Sequence, residues 1–548
     1  MTFITNERPR AQLPQGTVIG RTLVDDLPRP IEAFRGIPYA LPPTGDRRFR
    51  GAEKVTPDHQ AVIDASDYGP AAPGKPLLPG GPKLLYSENC LTVNVFRRPL
   101  ESCQPFERLL PVAVYIHGGA FNRGTASMHN TASMVSWSEA NFIAVSFNYR
   151  LGALGFLPSS ITAKEGILNL GLRDQILLLE WVRDNIVHFG GDPQQVTLIG
   201  LSAGAHSIGH HLMNYKEGVD PLFRRVVIES GAPTSRAVRH FDADIHEAQF
   251  KDFLHELECP EDTPAAQILP FLRSVPYDKI CAAQTAVFDK YNPSLRWAFQ
   301  PVIDGDVIPR PPMETWLSGM WHKVPIMTGF TSNEGSLYVQ KQCARSSGFT
   351  AFFTELLPLL SESEMSALDA LYPDPLKFPH SDLKETRSGV GAQYKRLEAA
   401  YANYAYQAPV RQTAEFASSA GVPVYLYHWA LETSVIDGAR HADNMRYEGC
   451  TPQVMSISKT QAELARTLNS YIGSFIAESD PNATSPKDLG EVPKWVPYAQ
   501  GKPQAMVFAL YNKELVGGQP GPAAEMMEDT WRRRESEFWW SKSGKFET

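Results

Sequence analysis

"QVTLIGLSAGAHSIGHHLM" (195–213) is the stretch whose reading decides the fold. Its first six residues form a short apolar run rich in β-branched side chains, which predicts a buried strand. From Ala203 onward the apolar residues fall at helical spacing. Between the two, Gly200-Leu201-Ser202-Ala203-Gly204 fits G-x-S-x-G, a serine on a tight strand-to-helix turn. Only small neighbours fit so sharp a turn. The turn lifts the serine Oγ to the C-terminal end of the strand and sets it at a helix N-terminus, where the dipole favours developing negative charge. Taken alone, a serine between glycines is a common turn. The strand before it and the helix after it give the motif its weight.

The same alternation extends outward. "PVAVYIHGG" (111–119), "FIAVSFNYR" (142–150) and "RRVVIESGAP" (224–233) read as buried strands. "GLRDQILLLEWVRDNIVHFGG" (171–191) reads as a helix that stops at a glycine pair. Alternation of this kind predicts an α/β fold with a mostly parallel sheet covered on both faces. "VPIMTGF" (324–330) and "VPVYLYHWA" (422–430) continue the strand pattern. The stretches 234–320 and 336–420 carry helical patterns broken by prolines. They are read as insertions into a single domain over 1–548, because the sheet resumes after each.

The chain's 548 residues are 43% hydrophobic, ample for a large core. The net charge of −8 and the lack of a basic block argue against nucleic acid or an anionic membrane as the main partner. No apolar run approaches the roughly 18 residues a membrane span needs. "MTFITNERPRAQLPQG" has no apolar signal-like core, which predicts no secretory signal. Six cysteines, at 90, 103, 259, 281, 343 and 450, show no CxxC metal spacing. Free thiols in a cytoplasmic protein, with no metal and no cofactor, is the resulting expectation.

A nucleophilic serine needs a base within hydrogen-bond reach and a group that orients the base. Glu334, in the loop that follows the strand "VPIMTGF", is the candidate acid. Asp304 and Asp306 in "PVIDGDVIP" are rivals in a turn-like context. His441 lies in a small-residue loop about a dozen residues past "VPVYLYHWA" and is the candidate base. His428 falls inside that strand and reads as a satisfied, partly buried histidine. For the oxyanion, "HGGAFNRG" (117–124) offers the bare backbone N–H groups of Gly118 and Gly119, and Ala203 adds the N–H directly after the serine. Ala120, Phe121 and Leu201 are the expected walls of a substrate pocket.

These residues lie among stretches that resemble the type B carboxylesterase/lipase family, which includes cholinesterases and fungal lipases. "FRGIPYALPPTGDRRFR", "SENCLTVNVF", "YIHGGAF", "NYRLGALGFL", "NLGLRDQ", "FGGDPQQVTLIGLSAG", "ESGAP", "PVIDGDVIP" and "NEG" carry the similarity, from about residue 15 to about residue 540. The resemblance implies an α/β-hydrolase fold and a triad of Ser202, Glu334 and His441. It also implies structural ion pairs of Arg48 with Glu88 and of Arg150 with Asp174. The sequence departs from the family at three positions near the site. Leu201 stands where a glutamate is usual, Ala442 where glycine follows the histidine, and Asn444 where an acidic residue is common. Extracellular members pair the cysteine matching Cys90 with one upstream, and no cysteine precedes Cys90 here. Cys259 and Cys281 can still close a loop, as in some fungal members.

The expected function is a serine carboxylic-ester hydrolase that works through an acyl-enzyme on a small neutral, apolar ester. Leu201 and Asn444, both uncharged, predict a preference for neutral over quaternary-ammonium esters. The alternatives are the same triad used for acyl transfer or lactone closure, and a catalytically inactive binding module. The intact Ser, Glu and His set speaks against the last. A homodimer is compatible with the sequence.

Overall fold

The computed structural model describes residues 8–77, 83–100, 108–236 and 238–547. Among these, eleven strands form one sheet. They are β1 (Arg21–Leu23), β2 (Ile31–Pro38), β3 (Thr92–Arg97), β4 (Leu110–Ile116), β5 (Ile143–Phe147) and β6 (Gly191–Leu201). The rest are β7 (Arg225–Glu229), β8 (Ile326–Thr331), β9 (Val424–Trp429), β10 (Gln504–Phe508) and β11 (Ala524–Glu528). Their spatial order is β11-β10-β9-β8-β7-β6-β4-β5-β3-β2-β1. The run from β10 to β5 is parallel throughout. Antiparallel pairs close both edges. A three-stranded sheet near the N-terminus stands apart.

Side chains alternate across a strand with period two, so each central strand feeds two cores. Val112, Val114 and Ile116 of β4, Leu198 of β6 and Val226 and Ile228 of β7 join one core. Ala113, Tyr115, Ile199 and Val227 join the other. Strands buried on both faces read as continuous apolar runs, which is why they were legible in sequence. Helices α1 (Leu170–Asn185) and α2 (Ala203–Met213) cover the first face through Leu172, Leu178, Ile208 and Leu212. In the second insertion, α3 (Tyr394–Ala402) and α4 (Ala408–Ser419) flank a π turn at Asn403–Gln407. Helix α5 (Lys459–Glu478) covers the second face through Leu464, Leu468, Ile472 and Phe475. A third core, rich in Phe, Tyr and Trp, lies under the insertions and includes Trp297, Phe349, Tyr401 and Trp539.

The two expected ion pairs are present and buried. Arg48 donates from Nε (2.6 Å) and Nη2 (2.7 Å) to the two oxygens of Glu88. Arg150 holds Asp174 the same way, at 2.8 and 2.6 Å, and its backbone N–H adds a bond of 3.1 Å. Replacing one partner leaves the other charge buried without its mate. Asp174→Asn is therefore expected to lower unfolding free energy by about 3–5 kcal/mol. Urea denaturation checks this as a lower midpoint at unchanged slope.

Cys90, Cys259, Cys281, Cys343 and Cys450 are all free thiols, so Cys259 and Cys281 do not pair; Cys103 lies outside the described residues. Burial pushes the thiols of Cys90 and Cys450 up, which keeps them unreactive in the fold. All five are expected to react with a thiol reagent once the unreduced protein is denatured. Protection of any two of them in that assay would reveal a disulfide and overturn the assignment. No helix among the described residues is long and apolar enough to cross a membrane.

Candidate active site

Ser202 occupies the turn between β6 and α2 at φ 59° and ψ −121°. That left-handed backbone costs a non-glycine residue about 1–3 kcal/mol, so its surroundings must impose it. Its N–H donates to Glu229 O at 2.9 Å, and its carbonyl accepts from the His206 N–H at 2.9 Å. Gly204 lets the helix start against β4, since a Cβ there would lie 2.0 Å from Ile116 O. Gly118 lets the loop after β4 press on the elbow. A Cβ on Gly118 would meet Leu201 O at 2.5 Å and Ser202 Cβ at 3.0 Å.

That loop leaves the strand at His117, earlier than the "YIHGG" run predicts. It is tied from several sides. Tyr149 donates to His117 O (2.8 Å), Gly152 N–H to Phe121 O (2.8 Å), and Asn122 Nδ2 to Ala120 O (2.9 Å) and Ala298 O (3.0 Å). Among the described residues, the N–H groups of Gly118, Gly119 and Ala203 donate no hydrogen bond. Backbone donors left unused in this way are the kind of group that can receive a developing oxyanion.

Glu334 opens a short 3-10 turn just past β8 and is fully buried. One carboxylate oxygen accepts from the Thr331 N–H (2.7 Å), and the other lies 2.5 Å from His441 Nδ1. The loops that carry them are stitched together. Asn333 N–H donates to Ala439 O (2.9 Å), and Asn333 Oδ1 accepts from the Ala439 N–H (3.1 Å). Ala442, where the family resemblance has glycine, stands at φ 72°. The tight turn after His441 is thus retained at the expense of a strained alanine.

His441 Nε2 is buried and makes no hydrogen bond in this structure. The Tyr338 hydroxyl, pushed above its ordinary range chiefly by burial, is a neighbour of the Ser202 side chain. The Tyr338 ring lies 5.5 Å from that of His441, and Tyr406 approaches the imidazole to 4.7 Å. Tyr406 sits on the π turn, a device that re-aims side chains and recurs at functional sites. Sequence reading missed both tyrosines, because aromatic residues in a helical insertion look the same in sequence whether they face a core or a site.

Beneath His441, Asn444 Nδ2 and the Tyr427 hydroxyl each donate to Glu229 Oε1 at 2.9 Å. Glu448 lies near Glu229 and 3.0 Å from His129 Nε2. Burial pushes Glu448 up to about 8, and burial with the Glu448 charge holds Glu229 well above the usual carboxylate range. The floor of the site therefore carries less negative charge near neutral pH than its two carboxyls alone would give.

The rival residues take structural roles. Asp304 accepts from the Ile308 N–H (2.9 Å), and Asp306 pairs with Arg173 (2.9 Å). His428 lies in β9, bonds Ser332 Oγ (2.7 Å), stacks on Trp531 at 4.6 Å and is pushed down to about 3 by burial. No cluster of three or more metal-ligating side chains is found among the described residues. Of the expected pocket walls, Phe121 lines the chamber beside the elbow, whereas Ala120 and Leu201 do not. The chamber's lining does not include Ser202, Glu334 or His441. It carries Arg236, Arg239 and Arg296, which the first insertion brings in from outside any recognisable motif.

Comparison with known proteins fits this architecture. The sequence model of the Carboxylesterase family matches residues 7–539. The chain is 33% identical to Secreted lipase 4 of Gibberella zeae over 96% of its own length and 91% of the relative's. It is 28% identical to Secreted triacylglycerol lipase LIP1 of the same organism, over 92% and 87% of the two chains. The crystal structure of Aspergillus niger EstA superposes with a TM-score of 0.82 at 25% identity, covering 99% of this chain and all of that one. The fold is that of an α/β-hydrolase, and the class it defines is the carboxylic ester hydrolases. Within that class the chain belongs to the Carboxylesterase family. Both Gibberella relatives are named as secreted proteins, so the cytoplasmic expectation finds no support there.

Proposed function

We propose that this ester hydrolase is a serine enzyme that works through an acyl-enzyme, with Ser202 as nucleophile, His441 as base and Glu334 as the group that orients it. The carrying observation is the bond of 2.5 Å between His441 Nδ1 and Glu334 Oε2, set beside a serine on a left-handed elbow. For attack, the Ser202 hydroxyl turns to His441 Nε2, the imidazole nitrogen left without a partner. His441 takes the proton as the serine oxygen adds to the ester carbonyl. Glu334 fixes the tautomer and stabilises the imidazolium. The N–H groups of Gly118, Gly119 and Ala203 receive the oxyanion. His441 then hands the proton to the leaving alcohol, and water clears the acyl group by the same steps in reverse.

Leu201 and Asn444 place no carboxylate at two positions flanking the catalytic pair, and the nearby Arg236 adds positive charge. Quaternary-ammonium esters are accordingly poorer substrates than uncharged esters of the same shape. The direct test of the nucleophile is a fluorophosphonate probe. It is expected to modify the native protein one-to-one, with the adduct mapped by peptide mass spectrometry to Ser202. An adduct at another serine, or none at all, would sink the assignment.

A further inference from the structure

The chamber lies beside the elbow, open to solvent at its mouth. Its lining includes Phe121, from the loop after β4, and His206, from α2 one turn past Ser202, together with Arg236, Arg239, Arg296 and Trp297. No aspartate or glutamate lines it. Arg236 and Arg296 each bury an Nε that has no hydrogen-bond partner, and neither forms an ion pair among the described residues.

Arg236 is held by aromatic faces. Its guanidinium lies 4.2 Å from the Trp297 ring centroid, 5.1 Å from that of Tyr406 and 5.4 Å from that of Tyr338. It also donates to the Tyr406 hydroxyl. Aromatic faces orient a cation but leave its charge uncancelled. The same two tyrosines pack against the His441 ring, so the charge sits one side chain away from His441. The histidines of the chamber do not share it. His206 is held well below its ordinary range by burial and then by Arg236, and His246 is pushed down to about 3 by burial and then by Arg239. Burial lowers Arg239 as well, and the Arg296 charge adds to that effect. Arg236 and Arg296, with no ion pair among the described residues, are positive charges that an anion entering the chamber relieves.

We propose that this chamber binds a carboxylate carried by the ester, so that the preferred substrates are esters with a free carboxylate a few bonds from the scissile carbonyl. Half-esters of dicarboxylic acids and esters of hydroxy acids share that chemistry. The inference rests on the reading of Ser202 as nucleophile. It deepens the exclusion of cations into a rank order of anionic, then neutral, then cationic.

The experiment uses the full chain and three matched acyl donors: the p-nitrophenyl half-ester of adipic acid, its methyl-capped neutral form and a trimethylammonium analogue. A parallel set places the carboxylate on the alcohol side, as the acetate ester of a hydroxy acid against its methyl ester. The expected result is a kcat/KM about ten- to a hundredfold higher for the carboxylate member of at least one set, a preference that shrinks with added salt. Arg236→Met and Arg296→Met are each expected to bring that ratio toward one. Arg236→Lys, which keeps the charge without the fork, is expected to fall between. The wild-type comparison needs no variant, so a misfolded variant leaves the test intact. Labelling at Ser202 without a carboxylate preference in either set overturns this inference alone. Absence of labelling overturns the nucleophile and the inference together.

Discussion

Ser202→Ala is expected to lower kcat/KM for any cleaved ester by about 10⁴-fold or more, while the folded structure persists. The magnitude follows from how triads behave: nucleophile and base act as one unit, and losing either removes the covalent route. What remains is oxyanion stabilisation and binding, which still outpace water. The substitution is gentle on the fold. Alanine occupies the same left-handed backbone, the Ser202 N–H still donates to Glu229 O, and the strain is unchanged. The nearby Tyr338 hydroxyl loses a neighbour, which is expected to change stability little. Steady-state kinetics and a thermal melt on the same sample separate the two consequences. A variant that keeps a tenth or more of the wild-type rate would show that another group attacks the ester.

His441→Ala is expected to lose nearly as much, within about tenfold of the serine variant, because Ser202 without a base is an ordinary alcohol. The control is His428→Ala. His428 is another buried histidine at the end of a strand, but its Nε2 is engaged with Ser332 and its ring is stacked on Trp531. Removing it costs packing and a buried hydrogen bond, so it is expected to lower thermal stability and leave most of the rate. Reversal of this pattern, with a fast His441 variant and a well-folded but inactive His428 variant, would exchange their roles.

The elbow was legible because its requirements are local. Gly200, Ser202 and Gly204 mark a turn only small residues make, and the flanking periodicities say strand and helix without tertiary information. The strands β4 to β9 were legible for a related reason: burial on both faces writes an uninterrupted apolar run. The edge strand β1 and its neighbour β2 were not, because they alternate or lie half-exposed and their pattern merges with loops. Helix α5 also escaped, although its 20 residues make it the longest helix among the described residues, because its polar face breaks the apolar pattern.

Sequence by itself determined which residue types the chemistry can draw on and in what order they follow along the chain. It put Glu334 and His441 in loops after strands, and it put the glycines of the oxyanion loop at the end of another strand. It also separated His428 from His441 by strand against loop. Tertiary structure alone decided the rest. It brought Glu334 and His441, 107 residues apart, to 2.5 Å through the Asn333–Ala439 stitch. It turned Tyr338 and Tyr406 of the second insertion onto His441, and Arg236 and Arg296 of the first onto the neighbouring chamber. The physical reason is range. Turn chemistry and periodicity are set by neighbours within a few residues. The charge and shape of a pocket are set by side chains whose only relation is the packing of distant insertions on one sheet.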